Sequence, residues 1–225
     1  QGLVSVYYDH YSAGLPDYIM RRKTLSEIKG KCSLIDNKKN YLHRGKYEQD
    51  ALVASSNIIG RTTWDKACAH FIAPESRYYF CNENLRSVFY YGSQWEYEKC
   101  NKYQIAISQA GYPIKGLHKV IEAVALLCNE FPDIKVKVGG ANIFGGNWIK
   151  GNSYGIYIRQ LLKKYNIQER FEFEGFLSAD EMKQLLLESN VFVCPSSIEN
   201  SPNSLGEAMI LGVPCVAADV GGISD

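Results

Sequence analysis

The chain has 225 residues, 46% of them hydrophobic, with 25 basic and 24 acidic side chains and a formal net charge of +1. That length and apolar content suffice for one large domain or for parts of two. A nearly neutral charge argues against a broad nucleic-acid footprint, and no apolar run approaches the roughly 20 residues of a membrane-spanning helix.

The first hundred residues are the less regular half. QGLVSVYY opens the chain on an apolar, strand-like run, and nothing in it reads as a signal peptide. RRKTLSEIKGK (21–31) holds five cations in eleven residues. Two readings stand for it, a patch for anionic lipid or a solvated helix face interrupted by Glu27. DALVASSNIIGRTTWDKACAHF (50–71) predicts helix, short strand and helix, with GRTTWD (60–65) at the turn. The aromatic-rich SRYYFCNENLRSVFYYGSQWEYEKC (76–100) reads as an irregular connection, and a domain boundary is expected near Glu98 to Lys102.

The second half alternates cleanly. YQIAIS (103–108) reads as a buried strand, and Lys115 to Phe131 as a helix with Leu117, Val120, Ile121, Val124, Leu127 and Cys128 on one face, stopped by Pro132. IKVKVG (134–139) is a strand and YGIYIRQLLKKYNI (154–167) a helix. RFEFEG (170–175) is a short strand, followed by a helix with Ser178 and Glu181 as its capping box. VFVCP (191–195) is a strand, Asn203 to Leu211 a helix and VPCVAA (213–218) a further strand. Strands alternating with helices mean βαβ units and a parallel sheet, hence an α/β fold.

Seven cysteines, at 32, 68, 81, 100, 128, 194 and 215, form no C-x-x-C pair. They read as reduced thiols of a cytosolic protein, and a zinc site is not expected.

The richest stretch is CPSSIENSPNSLGEAMILGVPCVAADVGG (194–222), in which Glu199 and Glu207 flank a Pro/Asn/Ser/Gly loop between a strand and a helix. Such a unit points carboxylates and free backbone N–H groups into the crevice at the carboxyl ends of parallel strands, where phosphate and sugar hydroxyls find partners. The run resembles the E-x7-E signature of the family 4 retaining glycosyltransferases, and its flanks are similar to those of bacterial capsular, exopolysaccharide and lipopolysaccharide sugar transferases. The resemblance implies the GT-B fold, two facing Rossmann-like domains, both incomplete here. Residues 1–100 would be the rear of the N-terminal acceptor-side domain, and 101–225 most of the C-terminal nucleotide-sugar-binding domain. Both ends of the chain read as cut.

The resemblance also implies roles. Lys115, in SQAGYPIKG, would pair with the donor diphosphate as charge grows on the departing nucleotide. Glu199 would reach the transferred sugar, and Glu207 would accept hydrogen bonds from the ribose hydroxyls. Asn203, Ser204 and Leu205 would offer backbone N–H groups, since Pro202 has none. Many members carry an arginine five or six residues before the lysine, where this chain has Gln109 and Ala110. Arg61 of GRTTWD is the candidate to replace it from the facing domain. The alternative for Arg61 is a structural pair with Asp65, with Trp64 packing beside it. The glycine-rich GGANIFGGNWIKGN (139–152) reads as a flexible loop on the cleft side.

The family often places a histidine beside the sugar; Gln1 stands near that position, and His10, His43 and His70 match no motif. His118 either approaches the phosphates or sits partly exposed on its helix. No metal and no cofactor are expected, in keeping with the lack of a D-x-D pair. The implied activity is transfer of a hexose with retention from a nucleotide sugar, UDP being the commonest, to a glycan or lipid-linked acceptor in surface polysaccharide biosynthesis. The expected place is the cytoplasm, with peripheral association at the inner membrane face. The rival is a non-catalytic GT-B-like module that binds a nucleotide sugar or scaffolds a partner.

Overall fold

The computed structural model describes residues 2–145 and 151–225. In chain order the elements are α1 (Val4–His10), α2 (Asp17–Arg21), α3 (Leu25–Gly30), α4 (Leu34–Val53), β1 (Asn57–Gly60), α5 (Thr63–Ile72), β2 (Arg77–Phe80), β3 (Asn101–Ile107) and α6 (Leu117–Leu127). There follow β4 (Lys135–Gly139), α7 (Ser153–Tyr165), β5 (Phe171–Gly175), α8 (Ala179–Leu187), β6 (Ser189–Cys194), α9 (Asn203–Ile210) and β7 (Cys215–Ala217). Local chemistry sets many of the starts. Capping boxes open α3 (Thr24, Glu27), α4 (Ser33, Asp36), α5 (Thr62, Asp65) and α8 (Ser178, Glu181).

Two sheets form, both parallel: β1 with β2, and a larger one in the order β5-β4-β3-β6-β7. The larger sheet is covered on both faces, as a parallel sheet must be. Along β3 the side chains alternate: Ile105 and Ile107 enter one hydrophobic cluster with α6 and α7, while Ala106 enters a second with α8 and α9. The first cluster also takes in Tyr11, Leu15, Ile19, Met20 and Leu34, so helices from the first fifty residues pack on the same face as α6 and α7. This is an α/β fold of parallel sheets. The chain order reverses between β3 and β6, which leaves a crevice above the ends of those two strands.

Four expectations are corrected. The opening apolar run is helix α1 and not a strand, because Glu48 on α4 caps it: its carboxylate accepts from the N–H groups of Val4 (3.0 Å) and Ser5 (2.8 Å). The stretch after Ser76 is not wholly irregular, since Arg77–Phe80 pairs with β1 as a strand. The helix expected from Lys115 begins at Leu117. Pro113–Lys115 form a 3-10 turn, and Gly116 adopts φ 72°, a left-handed conformation in which a Cβ would strike the Pro195 carbonyl. Leu127 is exposed at the end of α6 rather than on its buried face.

The basic run 21–31 is folded into the end of α2 and all of α3. Its one acid, Glu27, is buried and accepts from the N–H (2.7 Å) and hydroxyl (2.6 Å) of Ser153 at the start of α7. Among the described residues no helix is long and apolar enough to cross a membrane.

Candidate functional site

The loops after β3 and β6 meet in the crevice at the switch in strand order. The Ser197 N–H donates to the Ile114 carbonyl at 2.8 Å, which ties the two loops together. Lys115 on the first then reaches Glu199 on the second, its ammonium donating to Glu199 Oε1. The Ser196 hydroxyl donates to the same oxygen at 2.8 Å. Burial pulls the Lys115 pKa down, but the negative charge of Glu199 and the neighbouring Tyr112 outweigh it, so the ammonium is held above its ordinary value. With side chains only 19% and 10% exposed, the two charges stay paired and fixed.

Glu199 is also held through the residue after it. The Asn200 amide is bonded at both ends: its oxygen accepts from the Thr62 hydroxyl (2.5 Å) and its nitrogen donates to Asp65 Oδ2 (2.7 Å). Asp65 in turn caps α5, accepting from the N–H groups of Arg61 (3.0 Å) and Thr62 (3.4 Å), and takes a further bond from the Tyr78 hydroxyl. Burial pushes the Asp65 carboxyl up, yet these donors outweigh burial and hold it below its ordinary range. Burial, and next the charge of Glu199, raise the pKa of the Tyr7 phenol. GRTTWD thus meets the site through its capping box. Arg61 and Asp65 are joined through the Arg61 backbone, the Arg61 guanidinium pairs with Glu83, and Trp64 lies 6.5 Å from the ring of Tyr7.

The other acid opens differently. Pro202 caps α9 without a side-chain bond, so the N–H groups of Asn203 and Ser204 have no acceptor among the described residues. The Leu205 N–H is occupied by the Pro202 carbonyl at 3.0 Å, which leaves Asn203 and Ser204 as the open donors. Glu207, 2% exposed, accepts a fork from Arg86: Nε to Oε1 at 2.7 Å and Nη2 to Oε2 at 2.8 Å. Arg86 is 44% exposed and lies over the Phe89 ring at 4.9 Å, and its bonds to Glu207 raise its pKa further.

A cavity of about 400 Å³ joins these parts. Lys115, Glu199, Asn203, Ser204 and Glu207 all line it, as do Gln109, Arg86 and Gly140. Arg61 lines two other cavities instead. The cation that joins Lys115 here is therefore Arg86, which sequence reading missed. It sits 121 positions from Glu207, in a connection whose only visible trait was its aromatic content. Of the glycine-rich loop, Gly140 forms part of the wall, while 146–150 lie outside the described residues, as does Gln1.

His118 fits neither reading offered for it. It is 1% exposed, with Nε2 at 2.9 Å from the Ala13 carbonyl and Nδ1 at 3.1 Å from the Tyr154 hydroxyl. The neutral ring donates to Ala13 and accepts from Tyr154, and burial depresses its pKa. Among the described residues no cluster of three or more His, Cys, Asp or Glu could hold a metal ion.

The chain is similar to known proteins. Residues 94–225 match the family model described as "Glycosyl transferases group 1". The putative glycosyltransferase YtcC of Bacillus subtilis (strain 168) is 32% identical over 112 residues, 49% of this chain and 26% of that protein. The putative colanic acid biosynthesis glycosyltransferase WcaL of Salmonella typhimurium is 30% identical over 117 residues, again 49% of this chain and 26% of that protein. The matched part thus spans about a quarter of the length of these curated relatives. Among solved structures, Anabaena HepE in complex with UDP and glucose superposes with a TM-score of 0.62 at 19% identity, covering 78% of this chain and 49% of that one. At that identity the likeness speaks for the fold, which matches GT-B glycosyltransferase structures. With a family model that covers more than half of its residues, the chain belongs to the group 1 glycosyl transferases.

Proposed function

We propose that the chain is part of a retaining, family 4 type hexosyltransferase, with residues 101–225 binding the nucleotide-sugar donor and 1–100 on the acceptor side. The observation that carries this reading is one cavity where two cations, two carboxylates and the open start of a helix converge. A nucleoside diphosphate sugar matches that set part by part. Its phosphates suit Lys115 and the free N–H groups of Asn203 and Ser204. Its ribose hydroxyls suit the oxygens of Glu207, with Arg86 holding that carboxylate. Its sugar suits Glu199, fixed by Lys115 and Ser196.

The chemistry then rests on position and charge. An acceptor oxygen forms its bond to the anomeric carbon on the face from which the phosphate leaves, so configuration is retained. The bond from that carbon to the phosphate oxygen breaks, its electron pair stays on the phosphate, and that oxygen takes the acceptor's proton. Lys115 offsets the charge that grows there. WcaL, named for colanic acid biosynthesis, supports a surface polysaccharide as product, and the UDP in HepE supports UDP as carrier. A glycan or lipid-linked acceptor and a place on the cytoplasmic side of the membrane complete the proposal.

Ligand-observed NMR with UDP, GDP and ADP tests it. UDP should bind selectively, and Glu207→Ala should abolish that binding while circular dichroism shows a folded chain. A folded wild-type chain that binds none of the three would sink the donor site. UDP binding without sugar transfer by the full-length enzyme would instead point to a non-catalytic module.

A further inference from the structure

Beside the Lys115–Glu199 pair lies a second hollow, of about 490 Å³, between α4, the end of α1 and the loop at Gly111 and Tyr112. Three tyrosines line it, Tyr11, Tyr41 and Tyr112, together with the amides of Asn37 and Asn40. The rings of Tyr11 and Tyr41 stand 5.2 Å apart at 55°. Phenol rings and amides side by side are the chemistry of carbohydrate recognition: apolar C–H faces of a sugar lie on the rings, and its hydroxyls bond to phenols and amides.

Two observations connect the hollow to the site. The carbonyl of Tyr112 accepts from the Lys115 N–H at 3.1 Å, so one short turn carries both a wall of the hollow and the candidate catalytic lysine. The charges of Lys115 and Glu199 also act on the Tyr41 phenol, which places the hollow within electrostatic reach of the pair.

A third observation speaks to the ligand's charge. Arg44 lines the hollow and makes no hydrogen bond or ion pair among the described residues. Between Asp36 and Glu48, α4 carries Lys38, Lys39, Arg44 and Lys46 and no acid. A guanidinium left open over a polar pocket, on a helix stretch of one sign, suits a planar or tetrahedral anion.

We propose that this hollow seats the acceptor sugar, and that this sugar carries an acidic group, carboxylate or phosphate, read by Arg44. The proposal rests on the donor reading of the neighbouring cavity, because it is that cavity which makes a sugar here an acceptor.

The test titrates the full chain with methyl glucuronide, glucose 6-phosphate and neutral methyl glucoside, with UDP titrated in parallel. At least one charged sugar should bind about tenfold more tightly than the neutral one, and Arg44→Gln should remove that difference. Whichever of the two is preferred identifies the anion as carboxylate or phosphate. Tyr41→Ala should weaken all three sugars, and Glu207→Ala should abolish UDP binding while leaving the charged sugar in place. Equal binding of charged and neutral sugars, a preference that survives Arg44→Gln, or displacement of the sugar by UDP would each overturn the proposal. So would the absence of saturable sugar binding by a chain that binds UDP, and the donor reading would then still stand. If UDP itself fails to bind, the donor reading falls and the acceptor role falls with it, even where the hollow retains the sugar.

Discussion

The two glutamates of the site sit in unlike surroundings. Glu199 is fixed from several sides: Lys115 and Ser196 hold its carboxylate, and Asn200 beside it is clamped by Thr62 and Asp65. Glu207 is deeply buried, yet its carboxylate has one side-chain partner among the described residues, the half-exposed Arg86. A rigid acid suits a task that depends on position. An acid held by a single surface arm suits a task in which a ligand can share or displace that arm.

Stability measurements can break this comparison. Arg86→Ala leaves a buried carboxylate without a partner and should lower unfolding free energy by about 3–5 kcal/mol in urea titrations. Lys115→Ala leaves Glu199 with the Ser196 hydroxyl and should cost less, about 1–3 kcal/mol. Equal losses would erase the distinction. The double replacement Arg86→Met with Glu207→Leu should recover most of the larger loss, since neither charge then remains buried.

Asp65→Ala probes the clamp on the rigid side. It removes the cap of α5 and takes one acceptor each from the Asn200 amide nitrogen and the Tyr78 hydroxyl, for a loss of about 2–3 kcal/mol. Asp65→Asn should recover part of it by keeping an acceptor for the capping bonds.

A smaller effect comes from His118, which joins α6 to the Ala13 turn. Its folded pKa is depressed, so below about pH 6.5 the unfolded chain binds more protons than the folded one. Stability should therefore fall as pH drops through that value, by about 1 kcal/mol per pH unit until the depressed pKa is reached. His118→Gln should flatten that slope in thermal melts at pH 7 and pH 5.5. At the far end of the scale, Lys99→Ala removes an exposed pair with Glu96 and should change stability by no more than about 0.5 kcal/mol.

How much of this was legible in the sequence depended on the range of the signal. The strand and helix alternation after residue 101 was readable because periodicity and capping are local: Ser178 and Glu181, for example, are three residues apart. Placing Lys115, Glu199 and Glu207 near one another followed from a family resemblance, and the structure gathers them around one cavity. Arg86 was invisible because its partner lies across the fold. The helix at Val4–His10 was misread because the carboxylate that caps it, Glu48, belongs to another element. His118 looked polar and exposed by residue type, while its two partners come from the Ala13 turn and from α7.

The clamp on Asn200 carries one more consequence, for the order in which the molecule assembles. Its amide bonds to Asp65 across 135 positions and to Thr62 across 138. Contacts of that span come late, because the entropy of closing such a loop must be overcome before they form. During synthesis, α5 and its cap leave the ribosome long before the segment that bears Glu199. A growing chain can therefore complete β1, α5 and β2 while the loop that bears Glu199 is still absent, and that acid is fixed only once Asn200 has emerged as well.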